Sequence, residues 1–156
     1  MAFVELLIHE ISHRLLYIED DTKFNENFAT AVAILGAEQW YLEQDKQGLY
    51  QAYQSYKDKN KKLIRFLLVY KDKLNHVYRD KTKTDVEKQS LKKAIFEQLI
   101  SDYEKFKEQH ALDERYDRWV LSMNNASLST LANYQELVPG FVALFHKQDG
   151  DWEKFY

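Results

Sequence analysis

The string His9-Glu10-Ile11-Ser12-His13 is the part of this chain whose residue types and spacing point most directly to chemistry. On a helix, residues four apart share a face, so both imidazoles can reach a single Zn2+. Glu10 stands one residue round, beside the metal rather than on it, where its carboxylate can take a proton from a water that the metal activates. So short a pattern arises by chance often enough that it needs a third ligand in a suitable place. The segment Asn25-Glu26-Asn27-Phe28-Ala29-Thr30 offers one. Twelve residues separate His13 from Glu26, enough to finish one helix, cross a loop and return antiparallel beside it. Glu26 then completes a His2Glu set with a fourth position open to water or substrate. An acid in the first turn of a helix is also favoured by the helix dipole, so Glu26 has a structural role available as well. The other histidines carry less: His76 and His110 read as surface residues of long helices, and His146 as a cation at a helix end.

The elements that must position these residues are helical. Phe3, Leu6, Leu7, Ile11 and Leu15 fall at helical spacings and predict a first helix over Phe3–Tyr17. A polar loop at Glu19–Lys23 follows, in which Asp21 or Thr22 can cap a second helix over Phe24–Gln44, with Phe28, Val32, Leu35 and Trp40 inward. After Lys46-Gln47-Gly48, the residues Leu49, Tyr53, Tyr56, Asn60, Leu63, Leu67, Tyr70, Leu74 and Val77 alternate steps of four and three. This is a heptad seam broken once, by Asn60. Asp80–Thr84 is the turn, Thr84 with Glu87 forms a capping box, and a helix over Asp85–Gln109 puts Leu91, Ile95, Leu99, Tyr103 and Phe106 on one face. So short a connection predicts a long antiparallel helical hairpin, about residues 48–109. Tyr116–Ser122 reads as extended or as a short helix. Asn124-Asn125 starts a small-residue helix, Leu137–His146 forms another with Pro139 in its first turn, and Trp152–Tyr156 is a last amphipathic piece.

Composition agrees with a mainly α fold. The chain has 156 residues, the size of one ordinary domain, with 45% hydrophobic and 30% charged residues, so a core can form. It has no cysteine, which excludes thiolate catalysis, disulfides and Cys-based zinc sites. Four glycines and one proline argue against phosphate loops and turn-dense β folds. No apolar run is long enough to span a bilayer. The net charge of −3 hides 13 Lys/Arg against 5 Asp/Glu between Lys57 and Lys93. Acids are interspersed there, so the stretch reads as the solvated face of two helices, and nucleic acid is not an expected partner.

The motifs resemble those of the bacterial predicted zinc aminopeptidase family. The resemblance rests on His9-Glu10-Ile11-Ser12-His13-Arg14, Tyr17, and Asp21-Thr22-Lys23-Phe24-Asn25-Glu26-Asn27-Phe28-Ala29-Thr30. It continues through Tyr116-Asp117-Arg118-Trp119, Asn124-Asn125-Ala126, Tyr134, Leu137-Val138-Pro139-Gly140-Phe141, Gly150-Asp151-Trp152 and Phe155-Tyr156. It implies a gluzincin-type metallopeptidase that uses Zn2+ and acts on peptides, with His9, His13 and Glu26 as metal ligands and Glu10 as general base. Tyr134 is a candidate donor to the tetrahedral oxyanion, with packing under the site as its other reading. Asn125 is expected to orient a ligand, to bind the substrate main chain, or to cap a helix. Thr30 stands where thermolysin-like enzymes have an Asp that orients a ligand histidine, and a Thr supports that ligand less well.

Family members are about twice as long and begin with a lipoprotein-type leader, so this chain resembles their carboxy-terminal half. The chain alone, lacking a signal-peptide pattern, reads as cytoplasmic; the family's leader implies the cell envelope. Two alternatives accompany the peptidase reading. One is a truncated relative that binds zinc and hydrolyses nothing. The other is a non-catalytic helical module that uses the hairpin for interaction, including self-association.

Overall fold

The computed structural model describes residues 3–44, 47–133 and 136–156. Among them are helices and no strand: α1 Phe3–Ser12, α2 Thr22–Glu43, α3 Gln47–Arg79, α4 Asp85–His110, α5 Asp117–Leu121, α6 Asn125–Asn133, α7 Val138–Lys147 and α8 Trp152–Phe155. A single 3-10 turn, Glu114–Tyr116, precedes α5. The mainly α architecture read from the sequence is what the chain adopts. No helix of the described residues is long and apolar enough to cross a membrane. The chain divides into two compact units, one formed by residues 1–56 and 132–156, the other by residues 57–131.

In the first unit, the caps end the helices where side chains supply partners. Asp21 accepts from the Phe24 N–H at 2.8 Å, satisfying one of the donors orphaned at the start of α2. The core gathers Phe28, Val32 and Leu35 of α2 with Phe145 of α7 and Phe155 of α8. Phe28 is central: its ring meets Phe141 edge-on at 5.7 Å and stacks on Phe155 at 6.0 Å. Burying such a ring is worth about 1.5–3 kcal/mol. Trp40, expected inward, is instead 39% exposed, because it lies near the end of α2 beyond this cluster.

Helix α1 packs on α2 through Ile8 and Gly36. A methyl group on Gly36 would meet Ile8 Cδ1 at 3.2 Å and Cγ2 at 3.4 Å, so the glycine is what lets Ile8 seat against the backbone of α2. The helix itself is shorter than its apolar spacing predicts. It ends at Ser12 rather than Tyr17, and the chain continues as a tight turn in which Arg14 N–H donates to the Ile11 carbonyl at 2.9 Å. The next residues are drawn away by Asn25, which accepts from the Ile18 N–H at 2.8 Å and donates to the Ile18 carbonyl at 2.7 Å.

The face that α1 buries is polar. Glu5, His9 and Ser12 point inward, while Phe3, Leu6, Leu7 and Ile11 are exposed, as is Leu15 in the turn. Periodicity identified the helix, and the packing inverts its amphipathic reading.

The second unit is the hairpin and what covers it. Phe66 stacks on Phe106 at 4.7 Å, Tyr70 donates to Asp102 at 2.6 Å and Lys73 to Gln98 at 3.3 Å, an antiparallel register. The capping box of Thr84 and Glu87 forms as expected. Leu63, Leu67, Tyr70 and Leu74 of the seam are buried against Leu99, Tyr103, Tyr116, Val120 and Leu128 of this same unit. Leu91, expected on the inner face of α4, is exposed near the tip. Asn60, the break in the seam, accepts from the Tyr116 hydroxyl at 2.9 Å, so the polar residue meets a polar partner.

Candidate metal centre

Three side chains meet at the end of α1 and the start of α2. His9 Nε2 lies 3.2 Å from Glu26 Oε2, His13 Nε2 lies 3.8 Å from Glu26 Oε1, and the two Nε2 atoms are 3.3 Å apart. The imidazole planes are nearly perpendicular, at 83°. Ligands at about 2.0–2.2 Å from a tetrahedral ion stand about 3.3–3.6 Å from one another, so the three separations suit a zinc-sized cation. The donor chemistry agrees. In the tautomers that leave a lone pair on each Nε2, the two imidazoles and the carboxylate could hold a cation at the point they share.

Local structure explains the convergence. His13 is past the last residue of α1, but the tight turn at Ile11–Leu15 keeps it on the same side as His9. Glu26 sits in the second turn of α2, next to Asn25, whose grip on Ile18 fixes the loop that leads back from His13. On the other side of Glu26, Asn27 is fully buried. Its Oδ1 accepts from the N–H groups of Leu137 and Val138 at 2.9 and 3.2 Å, capping α7 from outside, and its Nδ2 donates to the Lys23 carbonyl at 2.7 Å. Neither asparagine was assigned a role from sequence. Their signal was present nonetheless: two amides flanking an acid at a helix start are poor helix formers unless they bond elsewhere.

His9 is buried, with 8% of its surface exposed, and its Nδ1 has no hydrogen-bond partner among the described residues. A metal on Nε2 places the proton on Nδ1, and an unpaired buried donor costs about 1–3 kcal/mol. Ligand histidines are usually oriented by an acceptor at that atom, and here none is present.

Glu10 is exposed, one residue round α1 from His9, and it makes no ion pair among the described residues. Tyr134 lies outside the described residues. Asn125 belongs to the second unit, where its Nδ2 donates to the Tyr78 hydroxyl; the cap of α6 is Asn124, whose Oδ1 accepts from Ser127 N–H at 3.0 Å. His76 and His146 are exposed, His110 lies against Phe106 with ring centroids 4.3 Å apart, and none of them belongs to the three-residue cluster. Among the described residues, His9, His13 and Glu26 are the one group of three acids or histidines whose ligand atoms all lie within 4.8 Å of each other.

No curated protein and no solved structure matches the chain. A family model does, over the whole length: the chain, residues 1–156, belongs to the family described as "Putative aminopeptidase".

Proposed function

We propose that the chain is a zinc-dependent peptidase of gluzincin type, an aminopeptidase by family, in which His9, His13 and Glu26 hold the metal and Glu10 is the general base. The observation that carries this reading is the convergence of two imidazole Nε2 atoms and one carboxylate within 3.2–3.8 Å of each other, one residue from an exposed glutamate. Bound there, Zn2+ supplies a Lewis acid that polarises a carbonyl oxygen and acidifies water.

The remaining work falls to the chain. His9 and His13 bind through Nε2 and stay neutral, while Glu26 brings the single negative charge of the set. Glu10, exposed and without an ion pair among the described residues, takes a proton from the attacking water and passes it to the leaving amine. A peptide amide needs both transfers, since an amine leaves poorly unless it is protonated. Tyr134 is the proposed donor to the oxyanion.

Glu10→Gln keeps the shape of the side chain and removes its basicity. Cleavage of an amino-acid p-nitroanilide or of an internally quenched peptide should fall about 10²–10⁴-fold, with bound zinc unchanged. Cleavage at the rate of the unaltered protein would refute the role of Glu10. Comparing the two substrates also separates release of a terminal residue from internal cleavage.

A further inference from the structure

Helix α1 presents an unusual packing problem. Its buried residues, Glu5, His9 and Ser12, are all polar, and Phe3, Leu6, Leu7 and Ile11 face outward. Burial of apolar surface therefore does not select this rotation of the helix about its axis; taken alone, it favours roughly the opposite one. Ile8 against Gly36 fixes how closely α1 approaches α2. Something polar must fix which face it turns inward.

Glu5 lies one helical turn before His9 on that inner face and is buried. Its Oε1 accepts from the Tyr53 hydroxyl at 2.8 Å. Tyr53 comes from the first turns of α3, is itself buried, and is held by its ring stacked on Tyr41 at 4.6 Å. The Tyr53 hydroxyl also lies 3.4 Å from the Ile34 carbonyl of α2. The hydroxyl is thus fixed by two other helices before it meets α1. Burial and the neighbouring Glu5 carboxylate both push its pKa up, which favours the protonated hydroxyl that donates to Glu5.

We propose that Tyr53 and Glu5 are positioning residues for the metal centre: the hydrogen bond between them sets the rotation of α1 that turns His9 and His13 toward Glu26. The proposal rests on the zinc reading above. A turn of α1 by one residue, about 100°, would carry His9 away from Glu26 and put Ile8 or Glu10 in its place. A pin one turn upstream of His9 is well placed to prevent it.

The test is the double variant Glu5→Leu/Tyr53→Phe, which removes donor and acceptor together and leaves apolar groups of similar size, a change that can be nearly neutral for stability. Co2+ is the probe, since the intensity of its visible absorption reports ligand number and geometry, and Zn2+ competition gives affinity. The proposal expects a folded protein with unchanged helical circular dichroism, a 10–100-fold weaker metal affinity and an altered Co2+ spectrum, the loss typical of outer-shell partners. A double variant with unaltered affinity and spectrum overturns it. If the double variant loses its helical signal, Glu5→Gln decides, because Gln still accepts from Tyr53: retained metal affinity supports the pin, and a loss as large as that of Glu5→Ala contradicts it. If the unaltered protein fails to bind Co2+ or Zn2+, the metal centre itself falls, an outcome distinct from a centre that binds metal without needing Tyr53.

Discussion

Asn25 holds Ile18 by both of its backbone polar atoms, accepting from the N–H at 2.8 Å and donating to the carbonyl at 2.7 Å. The amide is buried and stands beside Glu26 in sequence, so one residue ties the loop after His13 to the helix that carries Glu26. The two hydrogen bonds close the path between His13 and Glu26.

Replacing Asn25 by Leu should therefore do two things at once. Loss of two buried hydrogen bonds should destabilise the protein by about 1–3 kcal/mol in urea unfolding. Zinc affinity should fall as well, because His13 is held in place by that loop. Destabilisation with unaltered zinc affinity would show that the loop does not set the position of His13.

Gly36 tests the packing under α1. Valine there brings side-chain atoms closer than the 3.2 Å contact that even a methyl group would make with Ile8. Overpacking of this kind costs about 1–3 kcal/mol. Alanine is expected to be near neutral, since the gain in helix propensity of about 1 kcal/mol offsets a small shift of a flexible Ile8. Thermal melts of both variants check the pair; a valine variant as stable as the alanine one would contradict the close approach.

In the second unit, Asp117 joins α5 to the end of α4. Hydrogen bonds from Lys107 and then from the Tyr103 hydroxyl hold its carboxyl below the ordinary value of 3.8. A depressed carboxylate pKa stabilises the fold above the ordinary value, and the contribution is lost as pH falls through the depressed one. The difference in melting temperature between the unaltered protein and Asp117→Asn should thus be largest near neutral pH and shrink below about pH 4. A gap that stays constant to pH 2 would remove Asp117 from the acid sensitivity.

The helices were legible in the sequence because local signals mark them. Asp21 caps α2, Thr84 and Glu87 form the box that starts α4, and Pro139 sits in the first turn of α7, each as its residue type suggests. The hairpin was legible for the same reason: a seam of fours and threes and a five-residue turn leave few alternatives. The grouping of His9, His13 and Glu26 was legible too, because the spacing of His9 and His13 limits the helix face and Glu26 lies near the start of the next helix.

What stayed hidden was orientation. Apolar periodicity says that Phe3, Leu6, Leu7 and Ile11 share a face of α1; it does not say that Glu5, His9 and Ser12 will be the face that is buried. The early end of α1 at Ser12 depends on Asn25, a residue of the following helix, and the cap of α7 depends on Asn27, more than a hundred residues away. Such tertiary hydrogen bonds leave no periodic trace. Leu91 lies near the tip of the hairpin and Trp40 near the end of α2, and both remain exposed although their spacing continues the helical pattern.

The most direct test of the metal centre is the zinc content of the purified protein beside that of His9→Ala. The account predicts about one zinc per chain in the unaltered protein and almost none in the variant, with helical content retained in both. No bound zinc after incubation with the metal, or an equal amount in His9→Ala, would contradict it.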